Sequence, residues 1–153
     1  MRAGPATETA QTAWFAALAQ TGSVQAARSR YEASLKAQLA PAQANLGTVL
    51  MMQGDPEGAI GRYRLAVAAD PESGPALTNL ALAMMGRGEA AEARQHLEHA
   101  VRVSPNLFEA HLHLGELLLS AGEAVPAMEH LERAAQSGDS RVRKAAMDLL
   151  SRK

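Results

Sequence analysis

Apolar and polar positions along this chain return in the same order every 34 residues. The stretch 40–71, APAQANLGTVLMMQGDPEGAIGRYRLAVAADP, reappears at 74–105 and again at 108–139 without an insertion. Its columns align as Leu46/Leu80/Leu114, Gly47/Ala81/Gly115, Leu50/Met84/Leu118, Gly54/Gly88/Gly122, Ala59/Ala93/Ala127, Tyr63/Leu97/Leu131 and Ala66/Ala100/Ala134. A fixed period of this length marks stacked structural repeats. Within a unit the apolar residues recur at helical spacing on both sides of the glycine, so each unit reads as two helices. Gly54-Asp55-Pro56 shows how they part: glycine tolerates the left-handed conformation that ends a helix, aspartate caps the next, and proline suits its first position. Asp70-Pro71, Ser104-Pro105 and Gly138-Asp139 separate successive units.

The flanks are less regular. Residues 1–8 read as a frayed end. A short helix is expected over 9–20, with Trp14, Phe15 and Leu18 on one stripe, and Thr21-Gly22-Ser23 stops it. A second helix is expected from Val24 to about Leu39, carrying Ala27, Tyr31 and Leu35; Ala27 and Tyr31 match Ala59 and Tyr63 at a spacing of 32. Residues 9–39 therefore read as a degenerate first repeat, ahead of units at 40–73, 74–107 and 108–139. From Ser140 onward Val142, Ala145, Ala146, Leu149 and Leu150 form one apolar stripe, with Arg141, Arg143, Lys144, Asp148 and Arg152 elsewhere. That is a capping helix over 140–153, and its basic outer face is either a solvated cap or a docking patch.

The expected architecture is all-α, a single solenoid of antiparallel helix pairs. Such a pair cannot bury its own apolar face and must stack on its neighbours. Core positions read from the columns are Leu46, Leu50, Ala59, Tyr63, Ala66, Leu80, Met84, Leu97, Leu114, Leu118 and Leu131.

Composition narrows the function. Among 153 residues the formal charge is −1, with no basic stripe of the kind a nucleic-acid binder carries. There is no cysteine, so disulfides and thiolate metal sites are excluded. No secretory h-region and no apolar run near the roughly 18 residues of a membrane span is present, which reads as a soluble, cytoplasmic chain. Only Lys36, Lys144 and Lys153 among the 15 basic residues are lysines, and alanine abounds, a bias of GC-rich bacterial genomes. His96 and His99 lie one turn apart, but no carboxylate completes a ligand spacing, and no metal or other cofactor is expected. Phosphate-binding loops and nucleophile elbows are absent, so no enzyme is expected.

Residues 40–139 resemble the tetratricopeptide repeat family. The resemblance rests on Asn45-Leu46-Gly47, Leu50, Gly54, Ala59, Tyr63, Ala66 and Pro71. It recurs as Asn79-Leu80-Ala81, Met84, Gly88, Ala93, Leu97, Ala100 and Pro105, and a third time as Leu114-Gly115, Leu118, Gly122, Ala127, Leu131 and Ala134. It implies a right-handed superhelix whose first helices line a concave groove for peptides or proteins. On the first clear helix Gln43, Leu46, Gly47 and Leu50 form the packed stripe, and Pro41, Ala44, Thr48 and Met51 the opposite one. The expected groove then runs through Ala44, Asn45, Thr48, Met51 and Met52. It continues through Thr78, Asn79, Leu82 and Met85, and ends at Leu112, His113, Glu116 and Leu119.

This face is apolar for a wet surface. Either neighbouring helices bury it, or it accepts an apolar segment, with methionines adapting to shape and Asn45 and Asn79 bonding the partner's backbone. Some members of the family grip a C-terminal carboxylate with basic residues; no such cluster is present here. The expected function is a non-enzymatic protein-interaction adaptor. Its alternative is a self-associating scaffold built through the inner face or the terminal helices, a homo-oligomer. Membership of a larger regulatory chain is left open.

Overall fold

The computed structural model describes residue 16 and residues 24–151. Among these residues it contains seven α-helices and no strand: α1 (Val24–Met52), α2 (Pro56–Ala69), α3 (Gly74–Gly86), α4 (Ala90–Val103), α5 (Phe108–Ser120), α6 (Ala124–Ala134) and α7 (Ser140–Leu150). The frayed end 1–8, the Trp14/Phe15/Leu18 stripe, the Thr21-Gly22-Ser23 stop and Arg152 lie outside the described residues, as do the side chains of Ala27 and Tyr31.

Local chemistry sets the helix ends. Gly54, Gly88 and Gly122 have φ of +77°, +82° and +79°, the left-handed conformation that closes the first helix of each unit. The following amide reaches back to the last turn each time: Asp55 N to Leu50 O, Glu89 N to Met84 O, Glu123 N to Leu118 O, at 2.9, 3.0 and 2.9 Å. Asp55 then caps α2 by accepting from Gly58 N at 2.9 Å, with Pro56 in the first turn. Glu89 and Glu123 occupy the same place without a side-chain cap.

The helices pack as antiparallel pairs, α1 with α2, α3 with α4 and α5 with α6. Each second helix also packs on the next first helix, and α7 lies across α6 and α5. One apolar cluster runs from Ala59, Ile60 and Tyr63 through Leu80, Met84 and Leu97 to Leu114 and Leu118. A second joins Leu112, Leu131 and Ala134 to Ala146 of α7. The small-residue column lets the paired helices approach: a Cβ on Gly47 would lie 2.7 Å from Tyr63 Cε1, and one on Gly115 2.7 Å from Leu131 Cγ. The Tyr63 hydroxyl is satisfied by Thr48 Oγ1 at 3.1 Å.

Two expectations fail, for one reason. The break expected between Leu39 and Ala40 is missing; α1 runs through it with Pro41 inside. Proline costs a helix one hydrogen bond and a clash with the carbonyl four residues back. Here Leu35 to Leu46 contains no Gly, Asp, Ser or Thr to terminate or re-cap the chain, while Ala, Leu, Gln and Lys favour helix. Pro41 occupies the column of Pro75, which sits in the first turn of α3 after a connection rich in turn-formers. Because α1 is continuous, no second helix among the described residues folds back onto Leu46. Leu46 is 40% exposed, where Leu80 and Leu114 are each 1% exposed beneath α2 and α4, and Leu50 is only partly buried. The other nine expected core positions are buried.

Leu80→Asp would bury an unpaired carboxylate between α2 and α3, costing more than about 4 kcal/mol. Loss of the helical circular dichroism is expected; a wild-type melt would disprove the stacking. At Gly115 the backbone is helical and the space is taken, so Gly115→Val is expected to destabilise by about 1–3 kcal/mol. Gly61 is exposed on α2 with nothing within 4 Å of its would-be Cβ. Gly61→Ala is therefore expected to stabilise by up to about 1 kcal/mol in chemical denaturation.

Candidate functional site

α3 and α5 are packed on most of their circumference, which leaves a narrow strip on each; α1 is open on a wider face. On α3 Pro75, Asn79, Leu82 and Gly86 form a line along the helix, exposed at Pro75 and Gly86 and half-buried at Asn79 and Leu82; of the other residues only Met85 is not fully buried. The spacing of four, three and four keeps the line on one face. The same columns on α5 are Glu109, His113, Glu116 and Ser120, exposed at the two ends and half-buried at His113 and Glu116, and on α1 they are Pro41, Asn45, Thr48 and Met52, all exposed. Because α1, α3 and α5 lie side by side, the three lines make one surface.

Two clefts indent it. A cleft of about 320 Å³ between α1 and α3 is lined by Pro41, Ala44, Asn45, Asp70, Pro75 and Asn79, among others. A cleft of about 370 Å³ between α5 and the start of α7 is lined by Glu109, Leu112, His113, Glu116, Asp139 and Arg141, with Val142 and Ala145 behind them. The first is uncharged apart from Asp70. The second is ionic: His113 Nδ1 lies 2.8 Å from Glu116 Oε2, and Arg141 Nη2 lies 3.0 Å from Asp139 Oδ2. The Arg141 guanidinium, helped by its own backbone N–H, holds the Asp139 carboxyl below the usual carboxylate range. With Asp139 and Arg141 neutralising each other, Glu109 and Glu116 leave this end acidic.

The expected groove residues divide by column. Asn45, Thr48, Met52, Asn79, Leu82, His113 and Glu116 stand on the open strip. Thr78 does not: it is 2% exposed and its hydroxyl donates to Gly74 O at 2.8 Å. Leu112 is 6% exposed, locked beneath Ala146 of α7 while touching only the floor of the cleft. Met85 and Leu119 are half-buried against the core, as is Ala44, and Met51 is exposed but to one side of the strip. These last residues each lie one position from a strip column, because packing comes from the adjacent first helices as well as from the second helix. So the apolar LTNLALAMM stretch of α3 is explained mainly by burial. Glu109 and Asp139 were missed, and Arg141 was read only as part of the basic face of the capping helix; the sequence signal was their place in the first turn of α5 and at the start of α7, beside the strip.

Behind the strip, α5 and α6 meet at a histidine pair. His111 Nε2 lies 3.1 Å from Pro105 O, and its Nδ1 lies 3.0 Å from His130 Nδ1. A carbonyl only accepts, so His111 carries its proton on Nε2 and accepts from His130 Nδ1–H. This pair, not His96 and His99, is what the fold brings together. Burial lowers the pKa of both below 6.5; their mutual repulsion and Arg133 add to this at His111, while Glu129 and Glu98 oppose it at His130.

Comparison with known proteins agrees with the repeat reading. One tetratricopeptide repeat profile matches residues 50–106 and 84–149, and a second matches residues 12–74. Among solved structures, the first TPR of Spaghetti (RPAP3), bound to HSP90 peptide SRMEEVD, is similar at TM-score 0.63 and 23% identity. It covers 74% of this chain and 98% of that one. The Sgt2 TPR domain from Aspergillus fumigatus gives TM-score 0.65 and 23% identity, covering 72% of this chain and 75% of that one. The N-terminal domain of stress-induced protein-1 (STI-1) from C. elegans gives 0.61 and 22%, covering 75% and 97%. At these identities the likeness concerns the fold. No curated protein matches significantly.

The histidine pair makes stability depend on pH. Its folded pKa values lie below the unfolded value near 6.5, so below about pH 6.5 the unfolded chain binds more protons than the folded one. The contribution is complete above that pH and is lost as pH falls through it towards the folded values. The melting temperature is expected to drop on acidification from pH 7.5 to about 5.5, and His111→Gln/His130→Gln to flatten that drop. An unchanged slope in the double variant would show that the pair stays solvated.

Proposed function

The chain belongs to the tetratricopeptide repeat family, and from that premise we propose that it is a non-enzymatic adaptor whose inner strip holds an extended segment of a protein partner. The observation that carries this reading is the recurrence of the same partly open columns on three consecutive first helices, with the remaining faces of α3 and α5 packed. A surface left open once is a gap; left open in register three times, it is a track. Along it Asn45 and Asn79 stand one repeat apart, lining the cleft between α1 and α3. A carboxamide both donates and accepts, which suits it to the peptide groups of an extended segment.

Charge narrows the partner. Two structurally similar domains hold the HSP90 peptide SRMEEVD, a sequence with acidic residues. The strip here carries no lysine or arginine, and its α5 end presents Glu109 and Glu116. An uncharged segment with a basic residue towards the α5 end fits this field better than an acidic tail. Leu82 supplies the central apolar contact between the two clefts.

The test compares two surfaces in one capture experiment. Leu82→Arg alters the strip, and Leu65→Arg alters the exposed face of α2, where Leu65 is 49% exposed. Proteins retained by the wild type are expected to fall by about tenfold or more with Leu82→Arg and to persist with Leu65→Arg. The opposite pattern would move binding to the outer surface and end the proposal. Glu116→Lys is expected to weaken capture by a smaller factor, and less so at high salt.

A further inference from the structure

The continuous helix α1 exposes a second apolar surface, beside the inner strip. Leu35, Leu39, Ala42, Leu46 and Val49 follow one another at intervals of four, three, four and three. That is the alternation of a coiled-coil seam, held over two heptads. Leu39, Leu46 and Val49 are 48%, 40% and 47% exposed, and Ala42 is exposed beside them. At about 100° per residue the strip is centred roughly 110° around the helix from this seam and adjoins it where Asn45 lies about 40° from Val49.

The repeat itself says what kind of element belongs here. In the next two units the column of Leu46 is sealed by the preceding second helix: α2 covers Leu80 and α4 covers Leu114. The segment that stands in that place for Leu46 is 24–39, and it is collinear with Leu46 in α1. A straight helix cannot fold back onto itself, whereas the same segment of another copy can reach the site. Charge permits it: from Ala33 to Gly54 the sequence has one charged residue, Lys36, so two antiparallel copies set no like charges opposite each other.

We propose that α1 pairs antiparallel with α1 of a second copy along this seam, giving a two-fold dimer. Antiparallel seams match the two alternating positions of one helix with the opposite ones of its mate. Setting Leu35 against Leu46 of the second copy does this, and it brings Leu39 against Ala42, a large residue against a small one. Symmetry repeats both contacts, giving four apolar layers. The two-fold axis then passes between Ala40 and Pro41. The seam is about 16 Å long at 1.5 Å per residue, short for a specific interface. The dimer is therefore expected to dissociate on dilution through the micromolar range.

The experiment uses the full chain, which has no cysteine. Sedimentation equilibrium is expected to show a reversible monomer–dimer system, with Leu46→Glu weakening it at least about tenfold while the helical circular dichroism is kept. A wild type that remains monomeric to its solubility limit, or Leu46→Glu associating unchanged, would overturn the proposal. The register is read separately with Leu35→Cys/Leu46→Cys, whose thiols sit too far apart along one helix to join within a copy. Mild oxidation should link the double variant into a dimer and leave each single variant uncrosslinked. Single variants that crosslink as well as the double would show parallel or random encounter and refute the antiparallel seam. Should Leu46→Glu fail to fold, the cysteine pair decides alone.

Discussion

Everything in this molecule depends on how closely two helices of one unit can approach. Gly47 sits against the ring of Tyr63 and Gly115 against Leu131, with no room for even one more carbon. At the matching place in the middle unit, Ala81 is fully buried with Leu97 in the same core. Close approach turns each pair into a thin slab with an apolar face too large for the pair to cover. The slab must then stack, and stacking carries one core from Ala59 to Ala127. A side chain added at that column pushes on the pair and, through it, on every later contact.

The open strip is a by-product of the same packing. α3 touches its own second helix, the preceding second helix and the first helices on either side, and α5 has α7 in place of a following first helix. Four neighbours leave one narrow face of α3 and of α5 in contact with water, and translation by one repeat brings the same columns of α1, which packs on α2 and α3 alone among the described helices, into line with them. Selection can act on the exposed members of the strip almost without touching the core, whereas Thr48 meets the buried Tyr63 hydroxyl. That freedom is visible in the change from Pro41, Asn45, Thr48 and Met52 to Glu109, His113, Glu116 and Ser120. One column position away, Thr78 and Leu112 are spent on the fold.

At the ends the periodic rule breaks, differently at each. At the C-terminal end α7 folds across α5 and α6, burying Ala146 against Leu112 and Leu131. Asp139 caps this helix by accepting from Arg141 N at 2.8 Å, and Arg143 Nη1 donates to Ser137 O at 3.0 Å, so part of its basic face serves the local turn. At the other end the helix that should turn back continues through Pro41 instead. The same column that is sealed at Leu80 and Leu114 is left half-open at Leu46.

The sequence by itself determined the period, the helix pairs, the capping helix and most of the core. These follow from local chemistry, glycines at positive φ and an aspartate cap, and from apolar columns repeated often enough to average out single residues. Only the tertiary structure decided which of two adjacent columns faces water. One residue is about 100° on a helix, and a helix enclosed by four neighbours leaves an opening narrower than that step. The tertiary structure also decided that Pro41 interrupts nothing. A proline marks a boundary only where its neighbours offer the chain another conformation, and between Leu35 and Leu46 none does.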